Sequence, residues 1–239
     1  MSVTADPFII ALDIGGREAL LHLAGALRGE VETVKVGLEA YANMGPEIIE
    51  TLCGMGYRVF ADLKLHDIPN TVRGAVRGLV HRGAGMITVH ASGGRMMMEA
   101  AVEAAEEEAR TAGVPQPLLL GVTVLTSLDE AGVVEIGWEG GAGAAVLSLA
   151  RLAMGAGLDG VVASPREASV LRQALGPEAL IVTPGIRAAG VDVQDQARTA
   201  TAREALAAGA DYLVVGRPVI AQPDPAGALR ELRWEAEGR

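Results

Sequence analysis

Four charged side chains, Asp13, Lys35, Asp62 and Lys64, interrupt otherwise apolar runs in the first third of the chain. A charge in an apolar run is costly unless it is paired, because burial strips away its hydration. Two carboxylates and two ammoniums on neighbouring elements can neutralise one another, so a Lys-Asp-Lys-Asp array is physically admissible. An ammonium held in such an array is a candidate for general acid chemistry. The plainer alternative is an ion-pair network that only holds the end of a core together. Side chains alternate faces along a strand, so Asp62 and Lys64 at i and i+2 point one way while Ala61 and Leu63 point the other. Val34 and Val36 likewise leave Lys35 alone on its face.

A second group has the residue types that grip an anion. In VVGRPV, Gly216 and Arg217 follow an apolar run, and Pro218 suits the first turn of a short helix. A helix start offers free N–H groups and a positive dipole end, and Arg217 can add a charge-assisted contact. A solvated arginine on a surface turn is the bland alternative. Upstream, GIRAAGVDVQDQARTAT carries Arg187 and Gln196 in a segment whose glycine and polar content suits closure over a ligand. Gly83 and Gly85 precede an apolar run, whereas a dinucleotide-binding fingerprint must follow one, so that reading is rejected. Met96 to Met98 fit a plastic core filler better than a ligand box.

The elements that must position these groups are eight short apolar runs. They are FIIALD from Phe8, TVKVG from Thr33, YRVFADLK from Tyr57, MITVHA from Met86, PLLLGVTVL from Pro117, GVVA from Gly160, LIVTPGI from Leu180 and DYLVVG from Asp211. Such runs are typical of parallel strands buried on both faces. Intervening segments such as REALLHLAGALR and REALAAGA have apolar residues at helical spacing and can serve as crossovers. Eight βα units predict an α/β fold, a single-domain (β/α)8 TIM barrel over residues 1–239, because closure leaves no edge strand. The length of 239 residues suits that barrel. Chemistry then belongs at the C-terminal ends of the strands, where the four charges fall. The longest gap, Leu125 to Leu158, contains GWEGGAGAA and predicts an extra helix or a mobile loop.

Composition removes several other classes. Half the residues are hydrophobic but only 3% are aromatic, so Ala, Val, Leu and Ile must build the core. A formal charge of −10 opposes general nucleic-acid binding, and local cations must overcome it wherever an anion binds. The single Cys53 can form neither an intramolecular disulfide nor a cysteine-based zinc site, which suits the cytosol. The opening MSVTADPF lacks the pattern of a secretion signal, and no apolar stretch approaches the ~18 residues of a membrane span. The expectation is a cytoplasmic protein with no membrane or nucleic-acid partner.

Asp62 through Thr71 reads DLKLHDIPNT, which closely resembles the D-x-K-x-x-D signature of orotidine 5′-phosphate decarboxylases. The likeness continues in the family's order through FIIALD, VKVG, GVTVLTS, TPGIR, DQAR and GADYLVVGRPV, nearly the whole chain. A D-x-K alone is weak evidence; the ordered set is specific. The resemblance implies conversion of orotidine 5′-phosphate to uridine 5′-phosphate and CO2, without metal or cofactor. It places Asp62 beside the substrate carboxylate and makes Lys64 the acid that protonates C6. Lys35 and Asp13 complete the array and bind the ribose hydroxyls. Asp67, a further member of the catalytic set, reaches with Ile68 and Thr71 across a homodimer interface into the partner's site. Thr126 reads the base edge. Pro184, Arg187, Gln196, Gly216 and Arg217 complete the substrate site, with Gln196 linking phosphate to pyrimidine. His66 is left outside the catalytic set. Many members have Pro where this chain has Ala188 and Ala202, which puts the stiffness of that loop in question.

Two rival readings are weighed. The related keto-gulonate phosphate decarboxylases and hexulose phosphate synthases share D-x-K-x-x-D but bind Mg2+ through an acidic residue at the second strand. Lys35 stands there instead, and an ammonium has no lone pair for a hard cation. A catalytically silent nucleotide-binding module would not require charges at three other strand positions.

Overall fold

The computed structural model describes residues 6–187 and 199–238. In chain order the first half comprises β1 (Phe8–Ala11), α1 (Arg17–Ala26), β2 (Thr33–Val36), α2 (Leu38–Met44), α3 (Glu47–Gly54), β3 (Arg58–Leu65), α4 (Pro69–His81), β4 (Ala84–His90) and α5 (Arg95–Ala112). The second comprises β5 (Leu118–Val122), α6 (Glu130–Glu135), α7 (Gly141–Gly155), β6 (Gly160–Val162), α8 (Ala168–Leu175), β7 (Leu180–Thr183), α9 (Ala202–Ala207), β8 (Tyr212–Val215), α10 (Arg217–Ile220) and α11 (Pro225–Glu237). The eight strands pair in sequence order, all in parallel, and β8 closes on β1. The expected (β/α)8 barrel is therefore the observed architecture.

Strand alternation divides the apolar residues between two cores. Ile9, Phe60, Met86, Leu120, Val182 and Tyr212 point inward and plug the barrel, while Ile10, Val34, Val36, Val59 and Ala61 face the helical layer. Each large side chain buried this way contributes about 1.5–3 kcal/mol. The plug fills the lower barrel and leaves the C-terminal mouth for polar residues.

Several strands are shorter than their apolar runs. β1 ends at Ala11, and Asp13 stands just beyond it, after one further bond from Leu12 N to Lys35 O of 2.9 Å. The long gap before β6 holds two helices, α6 and α7. The Asp129 side chain caps α6 by accepting from Gly132 N, and the glycine-rich stretch becomes the turn and first residues of α7. Met97 and Met98 are buried core residues of α5, whereas Met96 is 74% exposed. Ala202, one of the two alanines at the family's proline positions, opens α9 behind a Thr201–Glu204 capping box, and Ala188 lies outside the described residues. None of the described helices is long and apolar enough to cross a membrane.

Candidate active site

A cavity of about 520 Å³ opens at the C-terminal mouth of the barrel. Asp13, Lys35, Asp62, Lys64, Thr126, Pro184, Arg187, Gly216 and Arg217 all line it. They arrive from the ends of β1, β2, β3, β5, β7 and β8, so one surface gathers residues up to 204 positions apart because every strand points its C-terminal end the same way.

The four charges form a linear alternating chain. Lys35 Nζ lies 2.6 Å from Asp13 Oδ2 and 3.3 Å from Asp62 Oδ2, and Lys64 Nζ lies 2.9 Å from Asp62 Oδ2. Lys35 and Asp62 are only 7% and 8% exposed, so their pairing is needed to tolerate burial. Burial by itself would raise the Asp62 carboxyl, but Lys35 and Lys64 beside it hold it below its ordinary value of 3.8. Burial likewise pushes the Lys35 ammonium down, and Asp62 and Asp13 reverse this, holding it above 10.5. Both groups are therefore charged at neutral pH.

Backbone geometry makes the cluster possible at two places. A Cβ on Gly37 would fall 2.1 Å from Asp13 Oδ1, so only glycine lets the carboxylate sit against the start of α2. At β3 the ladder slips: Ala61 pairs with Ile87 and Leu65 with Val89, leaving four steps on β3 against two on β4. Lys64 takes up the slack with φ 51°, the only positive φ at a non-glycine position among the described residues. Its N–H donates to Thr88 Oγ1 at 2.8 Å, and Thr88 Oγ1 donates to Asp62 Oδ1 at 3.1 Å. Sequence reasoning missed Thr88; the only hint was one hydroxyl in the apolar run MITVHA. It also missed Glu39, which lines the cavity from α2, and Phe60, which forms part of its floor.

Not every expected residue joins this cavity. Asp67, Ile68 and Thr71 are exposed at the start of α4, and Asp67 and Thr71 line a separate pocket that Lys64 also touches. Asp67 Oδ1 accepts from Ile68 N at 2.6 Å. Gln196 lies outside the described residues. His66 packs against His90, with ring centroids 5.3 Å apart, and burial with nearby His66 and Lys64 lowers the His90 pKa. After β8, Gly216 precedes α10, whose first residues are Arg217 and Pro218, as the motif predicts.

Comparison with known proteins agrees with this architecture. The profile described as "Orotidine 5'-phosphate decarboxylase / HUMPS family" matches residues 6–232. A protein of Moorella thermoacetica named orotidine 5′-phosphate decarboxylase is 50% identical over 233 residues, 97% of this chain and 92% of that protein. One of the same name from Pseudomonas putida (strain GB-1) is 48% identical over 238 residues, 100% of both chains. Among solved structures, the orotidine 5′-phosphate decarboxylase of Lactobacillus acidophilus superposes with a TM-score of 0.83 at 37% identity, covering 96% of this chain and 98% of that one. With the barrel, the ordered motifs and these full-length relatives in agreement, the chain belongs to the orotidine 5′-phosphate decarboxylase / HUMPS family.

Proposed function

We propose that this chain is a carboxy-lyase that converts orotidine 5′-phosphate to uridine 5′-phosphate and CO2 in pyrimidine biosynthesis, using no metal or organic cofactor. The observation that carries the reading is the alternating Asp13–Lys35–Asp62–Lys64 chain at the barrel mouth. The C6–carboxylate bond breaks and its electron pair stays on C6. Lys64 stabilises that charge as it forms, then transfers a proton from Nζ to C6 and regains one from solvent. Asp62 holds the ammonium in place, and Lys35 prevents Asp62 from being an uncompensated buried charge. Asp13 keeps a buried Oδ1 without a hydrogen-bond partner among the described residues, an acceptor that suits a ribose hydroxyl. Thr126 and Pro184 lie on the cavity wall available to the base.

The substrate phosphate, with about −1.5 to −2 charges, belongs with Arg187, Gly216, Arg217 and Gln196. Its binding energy is remote from C6 and is available for loop closure and exclusion of water. Asp67, Ile68 and Thr71, exposed outside the cavity, act in a neighbouring subunit's site in a cytoplasmic homodimer, each subunit working as one barrel domain. The Mg2+-dependent chemistry of related sugar-phosphate enzymes is disfavoured, because Lys35 offers no ligand at the second strand.

The test is the ultraviolet change as EDTA-treated protein is given orotidine 5′-phosphate. Turnover to uridine 5′-phosphate is expected, and Lys64→Ala should lose turnover while still binding the product. No conversion by the unaltered protein, activity abolished by the chelator, or unchanged kcat in Lys64→Ala would defeat the proposal.

A further inference from the structure

We infer that Thr88 is a positioning residue for the decarboxylation, its hydroxyl fixing both the backbone of Lys64 and the carboxylate plane of Asp62. The inference rests on the functional reading above and adds a group from β4, a strand that contributes no charge to the array.

Thr88 is 0% exposed, so its hydroxyl must find partners inside the protein. A hydroxyl has one proton to donate and two lone pairs to accept with. Asp62 is ionised and can only accept, which commits the Thr88 proton to Asp62 Oδ1 at 3.1 Å. A lone pair then accepts Lys64 N–H at 2.8 Å. Both ammoniums contact the other oxygen of Asp62, Oδ2. Donors therefore hold both oxygens, and the carboxylate cannot rotate without breaking one of these contacts.

The bond to Lys64 addresses a second problem. Where the β3–β4 ladder slips between Ala61 and Leu65, Thr88 lies on β4 between the two residues that remain paired, Ile87 and Val89. In place of a ladder carbonyl, the Thr88 hydroxyl receives the Lys64 N–H, at the one non-glycine residue with positive φ among those described. That conformation sets where the lysine side chain leaves the strand. Loss of the hydroxyl should let the Lys64 ammonium and the Asp62 carboxylate drift while the cavity that binds the nucleotide persists.

The experiment compares Thr88→Val, which keeps the branched shape and removes the hydroxyl, with Thr88→Ser, which keeps the hydroxyl and removes the methyl. Circular dichroism and thermal melts establish folding; kcat, KM and uridine 5′-phosphate affinity are then measured. Thr88→Val should lose roughly 10- to 100-fold in kcat, the scale of small misplacements at a reacting centre, with KM and product affinity within about threefold. Thr88→Ser should stay within about threefold of the unaltered protein in all three, since its donor and acceptor are intact. A wild-type kcat in Thr88→Val, or equal losses in both variants, overturns the inference. If Thr88→Val does not fold, Thr88→Ala is compared with Thr88→Ser, and equal kcat overturns it again. Failure of both hydroxyl-free variants to fold assigns the hydroxyl to folding and likewise overturns it. An unaltered protein without decarboxylase activity defeats the parent reading, an outcome distinct from all of these.

Discussion

Asp62 receives two ammoniums and a hydroxyl, and its chemistry follows from that crowding. Its depressed pKa contributes stability that is present above the unfolded value near 3.8 and lost as pH falls through the native value. The raised pKa of Lys35 contributes stability that is present below 10.5 and lost as pH rises through its native value. Between those limits the pair stays charged, and its contribution should be flat. Lys35→Met should break this balance, leaving Asp13 without its ammonium and Asp62 with Lys64 alone. Removing one partner of a buried pair costs about 3–5 kcal/mol, so a loss near the lower figure is expected at pH 7. The deficit should shrink toward pH 4 as the Asp62 carboxylate, no longer held down by Lys35, protonates. Urea unfolding at both pH values measures this, and a midpoint unchanged at pH 7 would show that the charges are not coupled.

At the scale of elements, close approach of backbones matters more than residue propensity. Gly160 begins β6, and a Cβ there would lie 2.1 Å from Leu180 O on β7. Gly160→Ala must push two paired strands apart at the base of the barrel. A loss of about 3 kcal/mol or more is expected from such overpacking, lowering Tm by roughly 6–12 °C for a chain of this size. Gly25 is the contrasting case: it lies on the exposed face of α1, where an added Cβ would meet nothing within 4 Å. Gly25→Ala should stabilise by about 0.5–1 kcal/mol through helix propensity and a less flexible unfolded chain. Thermal melts of the two variants should move in opposite directions; a shift of the same sign would contradict the packing argument.

For the whole molecule, the net charge of −10 opposes the anionic substrate proposed above, yet the cavity lining carries four cations, Lys35, Lys64, Arg187 and Arg217, against three carboxylates, Asp13, Glu39 and Asp62, and so departs from the acidic balance of the chain. Asp67 stands outside that cavity, which is what a residue serving a second subunit would do. If the protein is the homodimer with shared sites proposed above, mixing Lys64→Ala with Asp67→Ala subunits should regenerate activity, because each mixed dimer would have one site with both residues intact. Random exchange makes half the dimers mixed, so roughly a quarter of wild-type activity is expected. Absence of recovery after subunit exchange has been verified would show that the two residues serve the same chain's site.

Much of the barrel and most of its charged site were legible in the chain alone, because both depend on short-range regularities. Apolar runs separated by helical spacing identified all eight strands, and the contact between Asp62 and Lys64 that the two-residue alternation predicts is present, although Lys64 itself departs from regular strand geometry. The glycine–arginine–proline segment announced α10 in the same way. Only the tertiary structure decided where the strands end, that Lys64 sits in a bulge, that Gly37 lies against the Asp13 carboxylate and Gly160 against the backbone of β7, and that Thr88 supports the array. Periodicity is a property of neighbouring residues, whereas ladder register and contacts across 26 positions, such as Thr88 to Asp62, arise only when separate strands pack together.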